Sequence, residues 1–135
     1  MADTVFVREG LVEAAVDGPR LRGGWCGACG RAHFPASTVC PYCASDEATV
    51  GPLSPKGTLW AWTAVTAPPP GYRGEVPYGF GVVELPEGVR VVTRLTEADP
   101  QRLRFGQPVH TVVVPLATDE EGRTVLTYAF EPEGA

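Results

Sequence analysis

The sequence predicts a mostly β fold in three parts: an N-terminal helical segment, a zinc ribbon and a C-terminal five-stranded barrel. Three observations lead to this prediction. All four cysteines lie within residues 26–43, a short apolar stripe of helical spacing precedes them, and five runs rich in Val, Thr and aromatic residues follow them. We therefore divide the 135 residues into segments 1–19, 20–51 and 52–135.

The first segment is predicted to hold one helix, from Arg8 to Val16. Its apolar residues recur at a spacing that places them on one helical face: Leu11, Val12, Ala15 and Val16. Residues 17–19, Asp-Gly-Pro, would end the helix. A helix of about nine residues is marginal alone. We therefore expect its apolar face to pack against the rest of the chain or against a partner.

The four cysteines form two CxxC pairs, Cys26 with Cys29 and Cys40 with Cys43. Two such turns can present four thiolates to one tetrahedral cation, so all four are predicted to ligate a structural Zn²⁺. Iron, held as in rubredoxin, is the main alternative because it accepts the same geometry. Four thiolates leave no open position for a catalytic water, and no thiol is left over as a nucleophile.

The segment around these cysteines has few large apolar residues, namely Leu21, Trp25, Phe34, Val39, Tyr42 and Val50. The metal must therefore supply much of the folding free energy, typically ~10–16 kcal/mol in such small units. Short strands are expected at Arg20–Trp25 and Arg31–Phe34. His33 could replace a cysteine ligand, but four cysteines are already present, so we interpret it as a surface or strand residue.

The third segment is predicted to be all strand. Its β-rich runs are separated by Gly or Pro and span residues 58–66, 78–85, 89–96, 107–116 and 123–130. Five short antiparallel strands with one long first connection fit a Greek-key barrel of the OB type. A five-stranded sandwich fragment is the competing architecture.

The long first connection, residues 67–77, is the most unusual segment after the cysteines. Three successive prolines stiffen it, and Gly71 and Gly74 permit sharp turns around Tyr72 and Arg73. In OB-type barrels this connection borders the ligand-binding face. Tyr72 and Arg73 are therefore predicted to contact a ligand or partner, with simple exposure as the alternative.

Two further motifs receive structural interpretations. Trp60 and Trp62 are expected to share one face of the first run and to fill the barrel or the seam between domains; a stacking platform for a base is the alternative. Residues 79–81, Gly-Phe-Gly, lack the third glycine and the following helix of a phosphate loop. We interpret them as a strand bend or close-packing site.

Composition and motifs narrow the function classes. Eleven Lys and Arg against 16 Asp and Glu give a net charge of −5, which disfavours a dedicated nucleic-acid binder. No secretory signal and no apolar run of ~20 residues is visible, so a cytoplasmic protein without a membrane span is expected. His33 and His110 are the only histidines, and no serine lies in a nucleophile elbow, so no catalytic constellation is predicted.

Several motifs occur together along nearly the whole chain: Leu21–Pro35, Cys40–Cys43, Gly57–Thr63, Pro69–Tyr72, Pro77-Tyr78, Val82–Glu84 and Thr93–Leu95. Together they resemble a family of acyl-CoA-associated proteins that join a rubredoxin-like zinc ribbon to an OB fold. The resemblance implies a non-catalytic accessory subunit of a thiolase or thiolase-like aldolase. It also implies a hetero-oligomer in which a larger thiolase-fold subunit carries the catalytic residues and an acyl-CoA thioester is bound by both.

The family pattern does not fix which residues touch CoA, so these are chosen from loop position and charge: Arg31, Tyr72, Arg73, Tyr78, Phe80 and Arg94. Guanidinium groups could pair with CoA phosphates, and an aromatic ring could stack on adenine. The alternative function is a single-stranded nucleic-acid module, because zinc ribbons and OB barrels both occur in that role. The acidic net charge counts against it.

Overall fold

The computed structural model describes residues 4–72 and 74–133, which contain ten strands and one short 3-10 helix at Pro100–Arg102. The strands are β1 (Thr4–Phe6), β2 (Val12–Ala15), β3 (Gly18–Cys26), β4 (Ala32–His33), β5 (Ala48–Pro52), β6 (Lys56–Val65), β7 (Tyr78–Glu84), β8 (Arg90–Leu95), β9 (Pro108–Thr118) and β10 (Thr124–Pro132). No helix in these two ranges is long and apolar enough to cross a membrane.

Strands β6 to β10 form a closed five-stranded barrel. The neighbours run in the order β10-β8-β7-β6-β9, and β9 pairs with β10 along its length, which closes the sheet. All of these pairs are antiparallel except β8 with β10, which is parallel. The five predicted runs match these strands to within about two residues at most ends, so the predicted barrel is confirmed, and closure excludes the sandwich alternative.

The barrel interior is filled by alternate residues of its strands, as a period of two requires. The fully buried residues include Leu59, Val83, Val91, Val109 and Phe130. On β7 the alternate inward positions are Gly79 and Gly81, where a side-chain carbon would collide with Glu97 O or Ala61 O. The Gly-Phe-Gly motif is therefore a close-packing site, in agreement with the sequence interpretation.

The ribbon is a small antiparallel sheet built on β3. Strand β4 pairs with the end of β3, and β5 pairs with residues 22–26 on its other side. A side-chain carbon at Gly24 would overlap the His33 ring, so glycine is needed there for β4 to approach β3. The two predicted ribbon strands are present, as β3 and β4.

The predicted N-terminal helix from Arg8 to Val16 is wrong. Two of its four apolar residues, Val12 and Ala15, instead lie in β2, which pairs antiparallel with β3 from Val12 opposite Leu21 to Ala15 opposite Gly18. Val16 and Asp17 form the two-residue turn, and Gly18, which follows them at the start of β3, takes a φ of +113° that a residue with a side chain rarely adopts. Backbone pairing with β3 outweighs the weak helical preference of nine residues.

Ribbon and barrel share one hydrophobic core. Leu21 and Leu53 are fully buried in the same cluster as Leu59 and Phe130 of the barrel. Leu53 N donates to Leu21 O at 2.8 Å, which ties the connection between the two sheets to β3. Ser54, the residue after Leu53, donates hydrogen bonds from its N–H and its hydroxyl to the carboxylate of Glu87, in the turn between β7 and β8, at 2.8 and 3.0 Å. The ribbon is thus packed directly on the barrel.

Candidate functional site

The four cysteines meet at one end of the ribbon. Cys26 ends β3, Cys29 lies in the turn after it, and Cys40 and Cys43 lie between β4 and β5. Their sulfur atoms all lie within 4.8 Å of one another, and His33 is not part of the group. The four cysteines are therefore positioned as in a zinc ribbon, and His33 is a buried strand residue.

Backbone amides point at sulfur in both CxxC turns. Ala28 N and Cys29 N lie 3.3 and 3.4 Å from Cys26 Sγ, and Tyr42 N lies 3.4 Å from Cys40 Sγ. An amide donor favours the charged form of the acceptor, so these bonds prepare thiolates. They are the bonds expected around a metal-bound thiolate.

The two turns also close in the same way. Gly30 N donates to Cys26 O, and Ala44 N donates to Cys40 O, both at 2.9 Å. Gly30 and Ala44 have φ values of +75° and +64°. The second turn therefore repeats the first with alanine in a conformation that usually favours glycine.

The thiol pKa values indicate that the four sulfurs require a cation. The N–H groups of Cys29 and Ala28 lower the pKa of Cys26 to about 6. At Cys43 the Ser45 amide is the largest single influence and favours the thiolate, but the neighbouring Cys26, burial and the other two cysteines together outweigh it and raise the pKa to about 12. Four adjacent sulfurs cannot all ionise without a compensating charge. A divalent ion removes this conflict, so the donor set fits structural zinc.

Among the predicted contact residues, Arg31 lies on the ribbon and apart from the others. Its guanidinium carbon is 3.7 Å from the centre of the Tyr42 ring, inside the second CxxC turn. Tyr42 is half exposed, although the sequence analysis counted it among the ribbon's apolar residues. The sequence hints at this cation–π pair only through position: Arg31 lies two residues after the first cysteine pair, and Tyr42 lies within the second.

Tyr72, Tyr78 and Arg94 come together at one end of the barrel; we call them the tyrosine–arginine cluster. The Arg94 guanidinium lies 4.3 Å from the Tyr78 ring centre and 5.5 Å from that of Tyr72, and it donates to Tyr72 Oη at 3.2 Å. The two rings are 5.2 Å apart. Phe80 is the direct strand partner of Arg94. Four of the six predicted contact residues are therefore neighbours, while Arg73 lies outside the described residues.

Two depressions flank the tyrosine–arginine cluster. One of about 340 Å³ is lined by Tyr78, Arg94 and Leu95 among others, and one of about 470 Å³ by Tyr72, Arg94 and Leu116 among others. Within residues 4–72 and 74–133, no carboxylate oxygen lies within 4.0 Å of the Arg94 guanidinium. Glu75 also lines both depressions, so an anionic ligand would meet the Arg94 guanidinium with a carboxylate of the chain on the same lining.

The two histidines do not form a catalytic pair with a nucleophile. His33 Nε2 lies 3.3 Å from the carbonyl of Ser37. His110, on β9, has its ring nitrogens 3.5 and 3.6 Å from the carboxylates of Glu131 and Glu133. In the described part of the chain, neither ring bonds to a hydroxyl or a thiol, so the arrangement offers binding groups and no nucleophile–base pair.

Trp60 and Trp62 do not share a face, contrary to the sequence expectation. Leu59 is buried in the barrel, so the next residue, Trp60, faces outward, and a β-bulge between Leu59 and Ala61 adds one residue to β6 and brings Trp62 inward. Trp62 packs against the core, whereas 42% of Trp60 is exposed and Arg90 lies 4.2 Å from its ring centre. The bulge leaves no period-two signature, so alternation alone could not reveal it.

Comparison with known proteins assigns both parts of the fold. Residues 14–48 match the model of the ChsH2 rubredoxin-like zinc ribbon domain, and residues 51–114 match that of the ChsH2 C-terminal OB-fold domain. The benzoylsuccinyl-CoA thiolase subunit BbsA of Thauera aromatica is 33% identical over 95% of this chain and 88% of its own length. The chain belongs to the ChsH2 (DUF35) family.

Other relatives agree with this membership. A DUF35 domain-containing scaffold protein of Pyrococcus furiosus is 35% identical over 84% of this chain and 83% of its own length. Among solved structures, the Ltp2-ChsH2(DUF35) aldolase superposes with a TM-score of 0.65 at 29% identity, covering 84% of both chains. These relatives are thus named as a subunit of a thiolase, a scaffold protein and part of an aldolase, which agrees with the family that the sequence resembles.

Proposed function

We propose that this chain is a non-catalytic accessory subunit of a thiolase or thiolase-like aldolase complex, and that it helps to bind or position the acyl-CoA substrate. The strongest support is its similarity, over nearly its full length, to a subunit named for a CoA thiolase. The catalytic residues then belong to a larger thiolase-fold partner.

The tyrosine–arginine cluster supports the acyl-CoA part of the proposal. CoA offers phosphates, an adenine ring and a pantetheine chain with two amides. Arg94 carries an uncompensated guanidinium that suits a phosphate, and the Tyr72 and Tyr78 rings beside it suit adenine. Because Tyr72 Oη donates to Glu75 O at 2.8 Å, the loop holds this ring in place before a ligand binds.

The ribbon has a structural task in this proposal. Zinc held by the four cysteines would fix the shape of residues 20–51 beside the barrel, and it supplies no open coordination position for chemistry. Four clustered thiols stay reduced in the cytoplasm, which is where we place the complex. Arg31 and Tyr42 on the ribbon surface are then available to contact the partner rather than the CoA.

Complex formation tests the main proposal. We expect this chain, co-expressed with the thiolase-fold subunits of its source genome, to elute with one of them as a single species in size-exclusion chromatography with light scattering. That subunit alone should have low thiolase or aldolase activity, because its acyl-CoA site is incomplete. If every thiolase-fold candidate elutes separately and is fully active alone, the proposal is wrong.

Replacing Arg94 by alanine should weaken acyl-CoA binding by the purified complex about 10- to 100-fold, the usual range for a lost charge-assisted hydrogen bond. Isothermal titration with the CoA thioester measures it. Arg94→Lys keeps the charge but loses the planar fork, so it should recover only part of the affinity. Arg20→Ala removes an arginine whose ion pair, among the described residues, is with the exposed Asp17, and the altered complex should bind the thioester as the unaltered complex does.

The nucleic-acid alternative is tested with the same material. The complex and the isolated chain are titrated with a fluorescent single-stranded oligonucleotide at low salt, where electrostatic binding is strongest. We expect no change in anisotropy. Salt-sensitive binding that Arg94→Ala abolishes, without any CoA binding, would favour the alternative instead.

A further inference from the structure

The outer face of the barrel carries a second cluster, which shares no residue with the tyrosine–arginine cluster. It consists of Trp60 on β6, Arg90 and Val92 on β8, and Arg104 and Phe105 in the turn before β9; we call it the Trp60 face. The exposed fractions of Trp60, Val92 and Phe105 are 42%, 56% and 68%. Three exposed large apolar side chains on neighbouring segments are typical of a binding site.

Backbone pairing places these residues side by side. Gly106 N donates to Leu59 O and Leu59 N donates to Gln107 O, at 2.8 and 2.9 Å, so Phe105 and Trp60 occupy adjoining chain segments. Arg90 stacks on Trp60 and also bonds to Glu84 at 3.1 Å. Val92 follows two residues after Arg90, on the same side of β8.

Folding does not require this apolar surface. Leu59, Val83 and Val91 already fill the barrel beneath it. Trp60 lies at a bulge with its ring facing away from the core, and bulges are over-represented next to functional sites. Phe105 lies in a turn, where a polar residue would be equally compatible with the fold.

The charge of the Trp60 face favours a different protein over a second copy of this chain. Arg90 is compensated by Glu84, but Arg104 has no carboxylate within 4.0 Å among the described residues. A two-fold contact centred here would bring Arg104 towards the Arg104 of the second copy, and these like charges repel. The net charge of −5 on each copy adds a further repulsion. A partner with an apolar pocket edged by a carboxylate complements the face instead.

We infer that the Trp60 face is the docking surface for the larger thiolase-fold subunit, and that this subunit presents an apolar pocket with an acidic edge. The inference rests on the proposed function and adds where the partner binds. Arg90 and Arg94 are four residues apart on β8, about 13 Å at ~3.3 Å per residue. The docking surface and the CoA cluster therefore lie near each other without sharing a residue.

The test measures affinity between the zinc-loaded full chain and the co-expressed thiolase-fold subunit. Phe105→Ser should weaken association at least about ten-fold, as expected for an exposed aromatic that becomes buried at an interface. Arg104→Glu should weaken the association more strongly at low salt than at high salt, because the substitution places a negative charge against the acidic edge of the partner. The matched control is Val16→Ser, at the fully exposed tip of the β2–β3 turn, which should leave affinity within about two-fold.

The outcomes separate this inference from the proposed function. If the unaltered chain binds and Phe105→Ser binds equally well, the docking surface is elsewhere and the proposed function stands. If Val16→Ser weakens association as much as Phe105→Ser does, the assignment to the Trp60 face is also wrong. If the chain alone forms dimers that Phe105→Ser dissociates, the face is a self-interface and the inference is wrong. If no thiolase-fold subunit binds the unaltered chain, both proposals fail.

Discussion

Replacing Cys40 by serine, or removing the metal with a chelator, should unfold the ribbon while the barrel stays folded at a lower melting temperature. The ribbon has little apolar packing of its own near the metal, since Val39, Tyr42 and Val50 are all about half exposed. Structural zinc typically supplies ~10–16 kcal/mol in such units, which exceeds what the remaining contacts can replace. The barrel keeps an interior built on residues such as Val83 and Phe130.

Three measurements check this expectation. Metal content should fall from one zinc per chain to none, limited proteolysis should cut between residues 29 and 48, and most of the far-ultraviolet circular dichroism from strands should remain. Thr38→Ala, two residues from Cys40 and exposed, is the matched control and should keep both zinc and stability. A Cys40→Ser protein that retains one zinc and its full melting temperature would show that the metal does not hold the ribbon together.

Sequence reasoning succeeded where local patterns determine structure. The spacing of the cysteines predicts one metal site, because two CxxC turns have few other ways to satisfy four thiols. The β-rich runs predict the barrel strands, since Val, Thr and aromatic residues favour a half-buried pleated surface. The barrel closes because β9 pairs with both β10 and β6. Short loops and a single long connection make this the simplest pairing of the five strands.

The same reasoning failed where tertiary pairing overrides a local pattern. Leu11, Val12, Ala15 and Val16 fit a helix by spacing, but Val16 and Asp17 followed by Gly18 also form a hairpin turn, and β3 offers a pairing edge. At Trp60 one extra residue shifts the alternation of β6. Neither the hairpin nor the bulge can be recognised from the sequence unless the neighbouring strand is known.

The candidate ligand site was predictable only as a set of separate residues. Tyr72 and Arg94 are 22 positions apart and meet because β7 and β8 place Phe80 opposite Arg94 and the loop returns over both. Loop composition identified Tyr72, and charge identified Arg94, but no sequence pattern joins them. Arg31 was chosen by charge as well, and it lies on the ribbon with Tyr42 instead.

Replacing Leu53 by alanine should lower the free energy of unfolding by about 2–5 kcal/mol, the range for a fully buried leucine. Leu53 is completely buried in the connection between ribbon and barrel, and its methyl groups pack over Gly23 of β3. Because it belongs to the cluster that also contains Leu59 and Phe130, the cavity would weaken both parts of the molecule.

Two probes measure the two parts in one urea titration of protein loaded with Co²⁺. The visible cobalt–thiolate absorption reports the ribbon, and the far-ultraviolet circular dichroism reports mainly the barrel. Leu53→Ala should move both midpoints to lower urea, whereas Val50→Ala, on β5 with 46% of its side chain exposed, should move neither by more than a small amount. A shift of the cobalt signal alone would mean that ribbon and barrel have separate cores. A shared core makes zinc binding and barrel stability interdependent, so a subunit without its metal would also present a weakened barrel to its partner.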